Sequence, residues 1–477
     1  MERIAAESQS AGTARIEDDG RRAVVADAAG SLTSGGFVAD LDRRLAHRTD
    51  STAGDVAVLN AYLADEIAPT LHAMGFTTEI CRAAADGRNL FLIAERHEDS
   101  GLPTVLMYGH GDVVAGMDDR WSDGLSPWQA TLRGDRLYGR GSADNKGQHS
   151  INLAALAAVL KARRGRVGFN LKLLLEMGEE IGSPELQAIC RSRRDRLKAD
   201  VMISSDGPRI AADRPTLFLG ARGGLNIRLT LDLRPGGHHS GNWGGLLVNP
   251  ATRLSAAIAC LVDGRGRILV DGLRPPPLSD AVRRALSDIP VVSGADEPEI
   301  DADWGEPGLS PAERVYGWNA LEVLAMSAGN TRHPVNAIPG KAEAVLQLRF
   351  VVGTDAAGAG EAVKAHLAAN GFGDVQVSAA VMSNATRLDL DDDWVRWAVG
   401  SMERTTGKPV ALLPNFGGSL PNEFFVEDLG LPTLWVPHSY PGCNQHAPDE
   451  HLLIPVADEA LRIMAGLFWD LGERAAR

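Results

Sequence analysis

The feature that most constrains this chain is a repeated juxtaposition: an apolar run of strand length that ends in acidic or imidazole side chains. Val105 to Tyr108 is such a run, and His110 and Asp112 come after it in H-x-D spacing. Phe169 to Leu175 runs into Glu179 and Glu180, and Val201 to Ile203 runs into Asp206. Short continuous apolar runs bounded by turn residues read as buried strands. Between the first two lies an Ala/Leu-rich helix, Lys146 to Arg164, with Ile151, Ala154, Ala155, Ala158 and Val159 on one face. Strands that alternate with helices predict an α/β fold with a largely parallel sheet and helices on both faces. In such sheets functional residues gather at the carboxyl ends of the strands, where His110, Glu179, Glu180 and Asp206 all fall.

The rest of the chain supplies the frame. Apolar residues recur at helical spacing from Phe37 to Arg48 and from Val56 to Met74, where Gly75 closes the second helix. Phe76 to Cys81 and Leu90 to Ala94 read as further strands. Near Arg214 the texture changes. Leu225 to Leu233 alternates as an antiparallel strand should, and a helix is expected from Ala251 to Leu261. A Pro/Gly/Asp-rich stretch from Asp263 to Gly317 carries one short helix, Asp280 to Leu286. Strands at Ala320 to Met326, Ala342 to Val352 and Val375 to Ala379 surround a helix from Ala356 to Asn370. These elements predict an inserted α+β domain over 216–384, interrupting an α/β domain over 36–215 and 385–477. That first domain is completed by a strand at Thr433 to Val436 and a helix from Val456 to Leu471. Residues 1–35 read as a polar lead, poorly ordered or loosely docked.

Composition excludes some partners. A formal charge of −14 leaves no Lys/Arg excess to neutralise phosphates, so no nucleic-acid partner is expected. No apolar run reaches the roughly 18 residues of a membrane span, and the N-terminus has no apolar signal core. The cysteines Cys81, Cys190, Cys260 and Cys443 are far apart and form no CxxC pair. They read as reduced, in a cytoplasmic protein, with Cys443 structural despite standing three residues before His446. The glycines of GHGDVVAG are not spaced for dinucleotide binding.

Two further residues complete a constellation. Asp144 stands in the Gly-bounded loop before the Lys146 helix, and His446 in the loop GCNQHAPDE. Singly, each candidate has a bland reading: Asp144 caps a helix, Asp206 opens a turn before Pro208, His446 is a surface histidine. Together His110, Asp144, Glu180, Asp206 and His446, with Asp112 and Glu179 beside them, supply what two divalent cations sharing one carboxylate require.

The pieces GHGDV, LYGRGSADNKG, EMGEEIGSPEL, SSDGP, HHSGNWGG, NAIPG and QHAPDE occur here in that order. They resemble the motifs of the M20 metallopeptidases, the group of peptidase T, carboxypeptidase G2 and carnosine dipeptidase. The resemblance spans the chain from about Phe37 to its end. It implies a di-metal catalytic domain with an inserted, ferredoxin-like lid domain that also forms a homodimer. By the same resemblance Asp144 is the bridging carboxylate, His110 and Asp206 hold one metal, and Glu180 and His446 hold the other. Asp112 stands behind His110, and Glu179 is the general base. His239 matches a lid histidine that reaches the active site of the partner subunit. Arg349 resembles the arginine that binds a substrate carboxylate; Gly418, Ser419 and Asn330 join it as substrate-binding residues. The expected metals are zinc, with manganese or cobalt as alternatives. Asp at position 206 matches the dipeptidases and aminopeptidases, so a dipeptide-like amide is the expected substrate. An N-acyl amino acid is the alternative. A non-catalytic metal-binding relative is the reading from another class, and such relatives usually lack ligands that this chain keeps.

Overall fold

The computed structural model describes residues 19–84, 87, 89–291 and 299–474. The chain divides into two compact units, one of Met1–Phe218, Asp391–Leu412 and Phe424–Arg477, the other of Leu219–Leu390 and Leu413–Glu423.

The first unit is built on an eight-stranded sheet. Its spatial order is Thr77–Cys81, Phe91–Arg96, Asn170–Glu176, Thr104–His110, Val201–Ser204, Thr433–Trp435, Thr216–Phe218 and Ala411–Leu413. The four central strands, 170–176, 104–110, 201–204 and 433–435, are mutually parallel. Thr77–Cys81 with Phe91–Arg96, Phe91–Arg96 with Asn170–Glu176, and Thr433–Trp435 with Thr216–Phe218 pair antiparallel. The parallel core comes from the runs themselves: Val105–His110 is buried at every position, so both faces must be covered. Helices Lys146–Ala162 and Ile454–Arg474 pack on each other beside it. Gly147, in the first turn of the former, is obligatory: a Cβ there would lie 1.8 Å from the Ser142 carbonyl oxygen.

Two local features depart from expectation. The helix expected over Val56–Met74 widens into a π-turn at Tyr62–Ile67, where the Ala68 N–H reaches back to the Leu63 carbonyl. Pro69 comes at once; it has no N–H to donate and its ring crowds the preceding turn. The polar lead is the other. Residues 19–33 are helical and bury Val24, Ala28 and Ala29. Arg21 Nε donates to Asp470 Oδ1 at 2.8 Å, so this part of the lead is docked on the closing helix. Residues 1–18 of that lead lie outside the described residues.

The second unit is α+β. Its four-stranded antiparallel sheet has the order Ala320–Ser327, Lys341–Phe350, Gly223–Asp232, Gln376–Ser383. Alternation sends Leu225, Ile227, Leu229 and Leu231 to one face, against Leu254 and Val363 of helices Pro250–Leu261 and Ala359–Ala369. Val323, Leu324, Met326, Val381 and Met382, from the two outer strands, are exposed. Residues 385–390 and 413–423, expected with the first domain, belong to this unit, and 216–218, expected here, to the first; Phe416 N donates to Gly220 O at 2.8 Å, and Phe416 O accepts from Arg222 N at 3.2 Å. No helix among the described residues is long and apolar enough to cross a membrane.

Candidate metal centre

The centre is assembled at the carboxyl ends of three parallel strands and two loops of the first unit. His110 ends the Thr104–His110 strand and is fully buried. Its Nδ1 donates to the Asp112 carbonyl at 3.0 Å. That leaves Nε2 facing carboxylates: 3.1 Å from Asp144 Oδ1, 3.7 Å from Asp206 Oδ2 and 4.0 Å from Glu179 Oε2. A lone pair aimed at three acids is favourable only with positive charge between them, a proton or a metal ion.

Asp144 shares its two oxygens. Oδ1 faces His110, while Oδ2 lies 3.1 Å from His446 Nε2 and also accepts from Gln445 Nε2. The Asp144–Asn145 peptide is cis. Glu179 and Glu180 stand on a single 3-10 turn, Glu179–Ile181, just after the Asn170–Glu176 strand. The backbone N–H groups of both donate to Asp112, one to each carboxylate oxygen, at 3.1 Å. Asp112 thus backs His110 with its main-chain carbonyl and holds the acidic turn with its carboxylate. Glu180 Oε2 lies 3.0 Å from His446 Nε2. Asp206 lies just past the Val201–Ser204 strand, and its Oδ1 accepts from Gly207 N at 2.6 Å.

Two donor sets emerge, His110–Asp144–Asp206 and Asp144–Glu180–His446, each with its ligand atoms within 4.8 Å of one another. They share Asp144. Glu179 belongs to neither set, although its carboxylate lies at their edge.

The electrostatics say what the donors lack. Burial pushes Asp206 up to about 7, and the negative charge of Asp144 adds to it. Burial also raises Glu179 far above the usual carboxylate range, with Asp206, Asp144 and Glu180 adding repulsion that His110 only partly offsets. Asp144 is the exception: burial would raise it, but hydrogen bonds from His110 and His446 outweigh that and hold it low. His446 is carried up to about 10 by its hydrogen bonds with Asp144 and Glu180. Four converging acids with two imidazoles are short of positive charge, and nitrogen and carboxylate donors suit zinc, manganese and cobalt. The residues present fit a pair of divalent cations.

The remaining expected site residues lie in the second unit. His239 is exposed on the two-residue strand His238–His239, which pairs with Ala337–Ile338. Half-buried Arg349 donates through Nη1 to Ser419 Oγ at 2.7 Å, and Gly418 precedes that serine. Asn330 caps its own loop, its Oδ1 accepting from Arg332 N at 3.0 Å. Cys443 is buried, free and in neither donor set.

Sequence reasoning missed three groups beside the centre. Gln445 bonds Asp144, Asn145 Nδ2 donates to Ser205 O at 2.8 Å, and Glu450 receives the backbone of the Asp144 loop. All three lie within the motif pieces QHAPDE and GSADNKG, beside residues that were singled out.

Residues 106–470 match the model of peptidase family M20/M25/M40. The chain is 28% identical to the cysteinylglycine-S-conjugate dipeptidase of Corynebacterium striatum, over 76% of this chain and 75% of that protein. It is 34% identical to the Beta-Ala-His dipeptidase of Mus musculus, over 39% of each. Among solved structures, an M20 family metallo-carboxypeptidase of Sulfolobus solfataricus superposes with a TM-score of 0.77 at 25% identity, covering 92% of this chain and 99% of that one. Human carnosine dipeptidase 1 shares the fold with a TM-score of 0.70 at 22% identity, covering 94% of this chain and 100% of that one.

Proposed function

Because the chain belongs to peptidase family M20/M25/M40, we propose that it is a two-cation dipeptidase cleaving small peptides with a free carboxyl end. The observation that carries this reading is the pair of donor sets meeting at Asp144 with Glu179 left over. His110 and Asp206 would hold one cation, Glu180 and His446 the other, and Asp144 both; zinc is the first candidate, manganese and cobalt the alternatives. When bound, such cations polarise a carbonyl and lower the pKa of water.

The chain's own residues do the rest. Glu179 is a base because it is near the centre without being committed to it, and burial, with its acidic neighbours adding to it, raises its affinity for a proton. It takes a proton from the attacking water and delivers it to the leaving amine. Asp112 fixes the aim of both Glu179 and His110. Arg349 receives the free carboxylate of the substrate through a guanidinium that has Ser419 and, among the described residues, no acid as its hydrogen-bond partner. Ser419, with Gly418 before it, flanks this guanidinium, and we read Asn330 as a further substrate-binding residue. His239 donates to the developing oxyanion. We read it as serving the active site of a second copy in a homodimer. Exposed apolar residues on both edge strands of the second unit's sheet, Val323, Leu324 and Met326 on one and Val381 and Met382 on the other, support a lid-borne dimer. A cytoplasmic setting fits the four unpaired cysteines.

Support for the dipeptide class comes from the relatives, whose names are those of a cysteinylglycine-S-conjugate dipeptidase and a Beta-Ala-His dipeptidase. The test is a panel of dipeptides, Cys-Gly and β-Ala-His among them, set against N-acetyl amino acids. The protein is first stripped with chelator and then reloaded with zinc, manganese or cobalt. Dipeptides should be hydrolysed, and only after reloading. Preferential release of acetate from N-acetyl amino acids would overturn the dipeptidase reading, and activity that survives stripping would overturn the metal.

A further inference from the structure

Glu450 sits on the loop that carries His446, yet its carboxylate is spent on a different loop. The side chain is buried, and its Oε1 accepts three backbone N–H groups: Gly141 at 3.0 Å, Ala143 at 2.9 Å and Asp144 at 3.1 Å. Its Oε2 accepts from Arg140 Nη1 at 2.6 Å. Its own carbonyl accepts from Gly139 N at 3.0 Å. One residue therefore clasps the whole turn from Gly139 to Asp144.

Only a carboxylate suits this position. Three converging N–H donors and a guanidinium ask for two acceptor oxygens and no donor. A glutamine amide would turn an N–H towards one of those sets. Stability alone does not explain the arrangement, because a buried ion pair often contributes little to folding compared with apolar residues of like size. Its location does. Asp144 is the residue common to both donor sets, and its backbone N–H is one of the three groups held. His446 lies four residues before Glu450 on the same loop, and Gln445 from that loop also bonds the Asp144 carboxylate.

We propose that Glu450 is a positioning residue of the metal centre: by tying the His446 loop to the Asp144 loop it sets the bridging carboxylate, so that both donor sets are assembled by one clasp. The inference rests on the reading that these sets hold two divalent cations. It carries a signature that a ligand would not. Loss of His446 removes a donor from one set, whereas loss of Glu450 disturbs the residue that the two sets share.

The test is zinc titration by calorimetry of the full chain, stripped of metal, as wild type, Glu450→Gln, Glu450→Asp and His446→Ala. Circular dichroism checks folding, and hydrogen exchange tracks the amides of Gly141, Ala143 and Asp144. In folded Glu450 variants both zinc affinities should fall together, by about 10–100-fold, the usual cost of losing a group that orients ligands. Exchange at the three amides should quicken. His446→Ala should weaken one site and spare those amides. Wild-type affinity at either site in a folded Glu450 variant overturns the proposal. So does failure of both metal-free Glu450 variants to fold, since Glu450 would then serve the fold rather than the centre. A wild-type chain that takes up no zinc, manganese or cobalt overturns the two-cation reading itself, before any variant is made.

Discussion

Exposed His446 apart, the two units treat their expected site residues in opposite ways. In the first, His110, Asp112, Asp144 and Asp206 are buried, and each is fixed by a neighbour within the same unit. In the second, His239, Ser419 and Asn330 are exposed, and only Arg349 and Ser419 bond to each other. Burying acids is costly unless something compensates them. The first unit has met that cost in advance everywhere except in net charge, which is what a cation supplies. The second has committed few of its groups. On the proposed function, the contrast is that of a preorganised reaction centre with a recognition surface that a ligand completes.

The largest effect expected from this contrast is at its hinge point, Asp144. Asp144→Ala should remove a donor from both sets at once and abolish uptake of both cations. Turnover should drop by about 10⁴-fold or more, as when one member of a tightly coupled catalytic group is lost. Elemental analysis of the variant decides it, and a variant that still carries two cations would break the claim that the sets share a residue.

Next in size is Glu179→Gln. A base outside both donor sets should leave metal content near wild type while turnover falls by roughly 10²- to 10⁴-fold. Glu180→Gln, one residue along the same turn, should lose metal as well. Equal metal loss in the two variants would erase the division between base and ligand.

Why Glu179 and Glu180 could be singled out at all is plain from the chain. Parallel strands buried on both faces leave continuous apolar runs, and the residues just past each run must sit at a strand end. His110, Glu179, Glu180 and Asp206 were legible on that ground, and the loops GRGSADNKG and GCNQHAPDE added Asp144 and His446. Groups that act through backbone amides leave no such trace. Glu450 meets Asp144 across 306 positions of sequence, and nothing in its composition says which N–H groups it will accept. Residues 413–423 were misassigned for a related reason. Their tie to the second unit is made by main-chain bonds such as Phe416 N to Gly220 O, and a Gly/Pro-rich segment carries no periodicity to declare it. The helix over 19–33 was hidden by its polarity; three small apolar residues and two ion pairs, Arg21–Asp470 and Asp27–Lys161, dock it.

The second unit is sharpened by His239→Ala. Loss of an oxyanion donor should lower turnover by about 10²- to 10³-fold with metal content unchanged. Mixed with Glu179→Gln so that subunits exchange, it should recover about a quarter of wild-type activity, because half of randomly paired dimers carry one intact site of two. Heterodimers that form without any recovery would return His239 to its own chain. Arg349→Ala should act on binding instead. The Michaelis constant for a free-carboxylate dipeptide should rise by roughly 10- to 150-fold, the worth of a hydrogen bond to a charged group, and the preference over the matching amide should vanish. A loss in turnover alone would place Arg349 in the reaction rather than in recognition.

The smallest effect belongs to the docked lead and leaves the centre alone. Asp470 accepts from Arg21 Nε at 2.8 Å, Arg404 Nη2 at 2.7 Å and Ser401 Oγ at 2.5 Å. Burial would raise this carboxyl, but the bonds from Arg21 and Ser401 outweigh it and hold it below its usual value of 3.8. A carboxyl depressed by folding contributes stability that is present above its unfolded pKa and is lost as the pH falls through its folded pKa. Asp470→Asn keeps the shape and removes the charge. It should cost about 1–2 kcal/mol at pH 7, read by urea unfolding of the metal-free protein. The gap between wild type and variant should stay level down to about pH 5 and then close below about pH 4, as Asp470 itself protonates. Zinc uptake should match wild type throughout the neutral range. A gap that widens in acid would reverse the sign assigned to the Arg21–Asp470 tie. A loss of zinc would mean that the lead helix supports the centre after all.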